Sequence, residues 1–554
     1  RFITTATQNV LIGALSGDAL TDGAANTGLG HETLTADTRG ANSVAIGHHA
    51  LSTQNFTSST NTYNVAVGSQ AGLSITTGLY NTLIGGIAGD ALTDADRNTA
   101  VGVQSLSADT QGSKSTAVGY GALATQNFSS ATDSHNTAVG NEAGVSITTG
   151  IENTIIGSLA GDALTDADYN VAVGKGALET DTQGSRSTAV GYSALASQNF
   201  SSAANSGNSA FGYNSGGSFT TGIQNTTVGS LSGDALTDAD RNTVLGYQAL
   251  STDTRGSRST ALGWNALASQ NFTSATDTYN VAVGYSAGSE ITTGTNNTAI
   301  GGLAGDAITT GTANTVLGQA AGGMINTGAN NTCIGQGAGD AMTTGSSNTF
   351  VGISAGGAGT VTGNSNTTIG NSAGEAISSG GNNLLLGNDA GRTGSPGGNI
   401  TTHSNNIVLG DENISAFYAQ VSLTVSSDQR DKTDFTVLDI GLDFVNKLLP
   451  YTYKWDKRSN YGDKTADDYD LNAQTPDGTH KEDWLDIGFK AQDVETLEVA
   501  EGYKKEDKTN LLITMTEDGK QYGMRYEKFV PILVKALQEL SAKNDALEAR
   551  IKTL

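Results

Sequence analysis

The chain has 554 residues, among them 73 glycines, only 4 prolines and 6% aromatics, a composition that argues against a string of ordinary globular cores. Its 29 basic and 54 acidic residues leave a formal charge of −25, which disfavours nucleic acid and anionic membrane surfaces as partners, since both are bound largely through Lys and Arg. No run of about 18 apolar residues is present for membrane insertion.

The sequence opens at Arg1 without a methionine or an apolar leader, so an attachment region is expected to precede it. From there a motif Asn/Ser-Thr/Val-x-Val/Ile/Leu-Gly recurs, with its glycine at Gly13, Gly30, Gly47, Gly68, Gly85, Gly102, Gly119 and Gly140 and onward to Gly387 and Gly410. Three short steps, such as Gly68 to Gly85 to Gly102 to Gly119, are followed by one that is longer by a four-residue insertion, as from Gly119 to Gly140. Together they make a super-repeat in which Gly-Asp returns at Gly17, Gly89, Gly161, Gly233 and Gly305. A fixed short period implies one unit stacked on copies of itself, because no single unit can bury its own apolar face. Disordered glycine-rich chains lack such regular aliphatic positions.

One rung, Gly301 to Leu317, shows the expected anatomy. Thr315-Val316-Leu317 is a short β-prone segment, Gly311-Thr312-Ala313-Asn314 reads as a turn, and Ala304-Gly305 allows close backbone approach. Stacking in register buries Val/Leu and Ala as columns and lets Asn and Thr side chains form ladders. The fold predicted for residues 1–410 is therefore mainly β, a repetitive β-roll or β-solenoid shaft. Asn42-Ser43-Val44-Ala45-Ile46-Gly47, Asn64-Val65-Ala66-Val67-Gly68 and Asn280-Val281-Ala282-Val283-Gly284 resemble the head repeats of trimeric autotransporter adhesins. That resemblance implies a trimer with a small-residue core. The periods here are longer than that family's usual repeat, which leaves the number of strands per rung open.

The insertion lies in segments such as Ala50 to Phe56 and Ala122 to Phe128, and Phe56, Phe128, Phe200 and Phe272 recur once per super-repeat. Each could stack on a sugar, but isolated aromatics at corners usually pack, and plugs for the wider rung are expected. The acidic corners, Asp90, Asp94 and Asp96 with copies at Asp162, Asp166, Asp168 and Asp234, Asp238, Asp240, lack calcium-loop spacing and read as solvated turns. Cys333, the one cysteine, rules out an intrachain disulfide framework and reads as a small apolar rung residue. No metal and no cofactor is expected. After Gly305 the inserted rung disappears, and Gly391 to Gly398 is expected to break the ladder, with the shaft ending by Gly410.

Beyond Asp411 tryptophan, lysine and proline appear and glycine recedes. Residues before Ser426 carry 10 basic and 28 acidic side chains, against 19 and 26 from Ser426 on. Residues 411–426 read as a connecting strand, because Asn413 to Val425 alternates apolar and polar. Then comes Ser427-Asp428-x-Arg430-x-Lys432, followed by Leu448 to Trp455, Ile487 to Glu495 and Tyr526 to Leu540. These four ordered motifs resemble the intramolecular chaperone, or auto-processing, domain of phage tailspikes and tail fibres, including endosialidases and neck appendages. The resemblance implies a small α+β domain over residues 427–554 that drives trimerisation of a β-rich fibre and then cuts itself away once. Carried over by motif, Ser427 is the nucleophile, Lys432 the general base, Asp428 and Arg430 support the motif, and the scissile bond joins Ser426 to Ser427. A serine hydroxyl needs a base, and lysine serves when desolvation favours its neutral form; Asp431 departs from the apolar residue common there and would oppose that.

In the last segment, 529–554, Leu533, Leu537, Leu540, Asn544, Leu547, Ile551 and Leu554 alternate spacings of four and three, the heptad of a trimerising coiled coil with Asn544 setting register. The expected function is a structural phage tail fibre or appendage on the virion, a homotrimer that joins tail proteins through its N-terminal side and binds a host receptor, glycan or outer-membrane component. It neither inserts into a membrane nor binds nucleic acid. The alternatives are a bacterial trimeric surface adhesin and a tailspike enzyme that degrades polysaccharide, although acidic residues confined to repeated corners offer no unique carboxylate pair.

Overall fold

A computed structural model of the chain describes residues 5–553 except 358, 422, 464–467 and 517. The chain divides into two compact units, residues 1–330 and 331–554.

The first unit is a β-solenoid whose coils each contribute a three-residue strand just before the motif glycine. Strands stack parallel and in register: Val65–Val67 lies on Thr82–Ile84, which lies on Thr99–Val101. The middle residue faces inward, so Ala66, Leu83, Ala100 and Ala117 form a buried column while their neighbours face outward. Most short coils thus have one strand, the number left open by the sequence, and the short coil before each longer one has two. The longer coil adds a two-residue strand, Thr132–Asp133 on Gly112–Ser113, with counterparts at Thr60–Asn61, Ala204–Asn205 and Thr276–Asp277.

The motif glycine is dictated by space. At Gly85 φ is +140°, and a Cβ would stand 2.4 Å from the carbonyl oxygen of Gly102 in the next coil. No side chain fits that approach.

The motif asparagine knits the coils together. Asn153 is buried; its amide nitrogen donates to the Ala167 carbonyl at 2.8 Å and its Oδ1 accepts from the Asn170 backbone N–H at 2.9 Å. Its own N–H donates to Asn136 Oδ1 at 2.9 Å. The same ladder runs through Asn64, Asn81 and Asn98 and through Asn208, Asn225 and Asn242. Serine takes the place at Ser43, Ser115, Ser187 and Ser259.

Two interior columns compensate one another in size. Gly89, at φ +55°, sits against Leu92 and Leu83, where a Cβ would come within 2.8 Å of both. In the next coil the equivalent pair is Leu106 and Asp109, so the large side chain has exchanged places with the small one. Leu106 accepts φ 52°, a left-handed conformation costing roughly 1–2 kcal/mol, which its full burial offsets at about 1.5–3 kcal/mol.

Asp109 and the longer coil are one device. Gln126 in the longer coil donates from Nε2 to Asp109 Oδ2 at 2.6 Å and accepts from Asn136 Nδ2 at 2.8 Å. Asp109 Oδ1 accepts from the N–H groups of Gly112 and Phe128. Burial raises the Asp109 carboxyl and these hydrogen bonds partly restore it. Asp37–Gln54, Asp181–Gln198 and Asp253–Gln270 repeat the arrangement. Phe56, Phe128, Phe200 and Phe272 are buried beside them, so the aromatics plug the wider coils and offer no sugar-stacking ridge.

In the second unit, strands Thr332–Ile334, Thr349–Val351, Thr367–Ile369, Leu384–Leu386 and Ile407–Leu409 pair in the same parallel pattern. The segment from Gly391 to Gly398, expected to break the ladder, is instead a loop within the last coil. Its Ser395 hydroxyl accepts from Gly391 N–H, and Asn406 still bonds to Asn383 Oδ1 at 3.0 Å. Cys333 lies in the buried column, where desolvation pushes its thiol up to about 12.

The alternating segment from Asn413 to Val425 is not a strand; its described residues are exposed and unpaired with any sheet. Alternation creates an apolar face but no hydrogen-bonding edge, and a single chain supplies none here. After it the described residues form helices α1 (Leu442–Val445), α2 (Ala491–Ala500) and α3 (Phe529–Lys552), with two antiparallel strand pairs. Ile440, Phe444, Val494, Leu512, Ile513, Phe529 and Ile532 form the core of this small α+β domain.

Replacing Asn153 by Ala strands the Asn170 N–H and the Ala167 carbonyl, at about 1–3 kcal/mol each. Because coils contact mainly their neighbours, the loss should be local. Amide exchange is expected to accelerate in Thr154–Ile156 and Val171–Val173 and to stay unchanged near Thr298–Ile300; a uniform change across the unit would contradict this account.

Candidate functional site

The first C-terminal motif folds into a single tight turn. Asp428 caps a 3₁₀ turn at Gln429–Asp431 by accepting the Arg430 N–H at 2.9 Å, and the Arg430 guanidinium closes on the same carboxylate at 2.6 Å. This pairing holds Asp428 below and Arg430 above their usual ranges. The turn folds Lys432 back, so that its Nζ lies 2.5 Å from Ser427 Oγ and 3.4 Å from the Ser427 carbonyl oxygen. The serine and lysine of the motif are therefore in hydrogen-bond contact, the geometry that a serine activated by a base would require. Ser426, Ser427 and Lys432 are all exposed.

The other motifs meet in the domain. Tyr451–Tyr453 from the second pairs antiparallel with Asp486–Gly488 at the start of the third. Phe489 N–H donates to Tyr526 Oη at 3.3 Å, and the Phe489 ring stacks on Phe529 at 5.2 Å, joining third to fourth. Sequence reasoning missed Glu498. It is buried in α2, and its carboxylate accepts from the backbone N–H groups of Leu511, Leu512 and Ile513. Nothing in the sequence separates it from the solvated acids around it.

α3 has two faces. Phe529, Ile532 and Ala536 are buried on the domain, and Glu539 accepts the Leu442 N–H at 2.8 Å at the start of α1, which holds its carboxyl low. The predicted seam lies on the other side: Leu533, Leu537, Leu540, Asn544, Leu547 and Ile551 are exposed, and Leu554 lies outside the described residues.

Two further outward features belong to the first unit. The third residue of each strand is aliphatic or aromatic and faces out, as at Ile84, Val139, Ile156, Phe211, Leu245 and Leu317. The residue after the motif glycine forms a second column, where Tyr192 stacks on Tyr213 at 5.5 Å and Trp264 on Tyr285 at 4.8 Å, all four about half exposed. At the acidic corners the carboxylates have separate partners: Asp96 accepts the Leu79 N–H and Asp94 the Thr93 hydroxyl, whereas one oxygen of Asp90 is buried without a partner.

Residues 427–503 match the family described as chaperone of endosialidase. The match covers the first three motifs and ends before α3. No curated protein matches the chain.

Desolvation raises the carboxyls of Asp90, Asp162, Asp234 and Asp306 above their ordinary 3.8. With the folded value above the unfolded one, the folded coil binds protons more readily in that window, so stability is fullest below it and is lost as pH rises through it. Acidification towards the ordinary carboxylate range should therefore raise the melting temperature through these corners. The quadruple Asp→Asn variant should show a flatter pH profile over the same range, and an unaltered profile would refute the assignment.

Proposed function

We propose that this chain, a β-solenoid carrying an endosialidase-type chaperone domain, is the structural subunit of a homotrimeric phage tail fibre or appendage that attaches the virion to its host. The observation that carries the reading is the position of that chaperone domain, C-terminal to a stack of non-local β coils. Such stacks form slowly and can pair out of register, and a local helical nucleus counters both problems.

Three exposed surfaces support it. The seam of α3 is an apolar stripe with heptad spacing and no cover within its own domain. The apolar ridge of the solenoid recurs once per coil and shares the alternation of short and long coils, so the partner that matches it coil for coil is another copy of this chain. The stacked aromatics Tyr192, Tyr213, Trp264 and Tyr285 present faces of the kind that bind sugars. On this reading the receptor is a host-surface glycan, and an N-terminal region joins the fibre to the tail.

Self-cleavage belongs to the same scheme. Neutral Lys432 takes the Ser427 hydroxyl proton as Oγ attacks the Ser426 carbonyl carbon. The C–O bond forms, the C–N bond breaks, and the proton passes to the departing α-amine of Ser427. Water then hydrolyses the ester, leaving Ser426 as a new carboxyl terminus and releasing residues 427–554. Lysine loses its proton readily only in a desolvated setting, whereas here the dyad is exposed, so packing of three chains around the turn would start the reaction.

Denaturing gels with light scattering on the native product test both halves. Wild type should give a trimer whose chains are shortened by residues 427–554; Ser427→Ala and Lys432→Ala should give full-length trimers; Leu537→Asp with Leu540→Asp should give uncleaved monomer. A monomeric wild type would sink the fibre reading, and full-length wild-type trimers would sink cleavage alone.

Adsorption to host cells tests the aromatic column. Trp264→Ala with Tyr285→Ala should weaken attachment about tenfold, at roughly 0.5–1.5 kcal/mol per lost aromatic contact, with the trimer intact; unchanged adsorption removes the column from the receptor site.

A further inference from the structure

Three of the six histidines in the chain fall in two successive coils and meet in space, a convergence found nowhere else among the described residues. His31 follows motif Gly30 and His48 follows Gly47 one coil later, so they occupy one outward column; His49 stands beside His48 at the next corner position. Backbone bonding between coils holds this arrangement, with the His49 N–H donating to the His31 carbonyl at 3.0 Å and the Glu32 N–H to the Ala14 carbonyl at 3.0 Å. Glu32 and His49 both take left-handed backbone angles, φ 56° and 59°, which turns their side chains to the same corner.

The rings of His31 and His48 stack 5.4 Å apart at 14°, and His49 stands edge-on to both, 3.9 Å from His48 and 5.9 Å from His31. One ring nitrogen from each lies within 4.8 Å of the other two. Glu32 reaches into the group, 3.0 Å from His49 Nδ1 and 3.7 Å from His31 Nε2. Tetrahedral Zn²⁺ with Zn–N of about 2.0–2.1 Å holds its nitrogens roughly 3.3 Å apart. The rings therefore need to close by about 1.5 Å at most, which side-chain rotation at two exposed residues permits.

We propose that His31, His48 and His49 form a Zn²⁺ site in which Glu32 is a positioning residue and water completes the coordination. Imidazole donors favour a borderline transition cation over Ca²⁺ or Mg²⁺, which prefer oxygen. A carboxylate accepting one ring N–H leaves the other ring nitrogen with its lone pair free for the metal, the arrangement that Glu32 offers His49. The excess of acidic residues further raises the local concentration of cations. Bound metal would clip two successive coils together near the N-terminal end of the described solenoid.

The neighbouring coil supplies the control, because at the equivalent positions it carries Ser69 and Gln70. The variant His48→Ser with His49→Gln therefore installs residues that the same fold already accepts. Calorimetric titration of the whole protein with Zn²⁺ should show one site per chain, and Co²⁺ substituted there should give the intense visible absorption of tetrahedral coordination. The double variant and His31→Ala should lose that absorption, with unchanged circular dichroism. Glu32→Gln should weaken affinity about 10–100-fold while keeping the tetrahedral spectrum. Equal Zn²⁺ titrations for wild type and the double variant, or a pale octahedral Co²⁺ spectrum in wild type, would overturn the proposal.

Discussion

The first unit depends on one interaction, the buried carboxamide that three coils in every four share with the next. Asparagine suits this place because it is both donor and acceptor. Its Nδ2 satisfies a carbonyl in the following coil, and its Oδ1 satisfies the backbone N–H at the matching place in that same coil, as Asn81 does with Ala95 and Asn98. Aspartate would offer acceptors alone and bury a charge, and leucine would leave both backbone groups unpaired. Each bond runs between coils, so a coil is stable only when its neighbours are present. This requirement underlies both the fixed period and the tight glycine beside it, for Gly85 approaches Gly102 as closely as the ladder demands.

With the spacing of the coils held in this way, interior volume becomes a matter of exchange between columns. The pairs Gly89 with Leu92 and Leu106 with Asp109 fill the same cross-section by opposite means. The second means brings a carboxylate inside, and the carboxylate needs Gln126 from the longer coil to complete its hydrogen bonds. Two coils with Gly-aliphatic corners and two with Leu-polar corners then make the super-repeat. Gln126 stands at the ordinary corner position of the longer coil, 17 residues after Asp109, and the extra residues follow it, beginning near the plugging Phe128.

Much of this was legible because the repeat states it many times. The short strands, the Ala and Val columns, the Asn and Thr ladders and the packing role of Phe128 all followed from period and residue type. Asp109 did not, since an aspartate in a polar stretch reads as a turn and only stacking reveals its burial. The alternation from Asn413 to Val425 misled because a strand needs an edge to pair with as well as a pattern. Contact between Ser427 and Lys432 was anticipated through motif resemblance, whereas spacing alone says nothing of a 3₁₀ turn. The histidine group escaped notice because His31 and His48 stand a full coil apart in sequence, a separation that becomes adjacency only after the chain has coiled.

Inward and outward positions obey different rules, and this difference lets one scaffold carry several surfaces. An inward residue is constrained by the coils above and below it, so the column that holds Ala66, Leu83, Ala100 and Ala117 carries only uncharged side chains, most of them alanine. An outward residue after the motif glycine meets only its column neighbours, and there the chain places His31, Tyr192, Trp264 and Gln319 in turn. A change at such a site leaves the asparagine ladder untouched and costs the fold little, while a change in two successive coils creates a pair in contact, as in the Trp264–Tyr285 stack. The strand position facing out is the exception, since it stays apolar along the unit although no interior packing requires it. Restriction without an internal cause points to an external one, which is why the apolar ridge bears more weight for self-association than any single exposed residue.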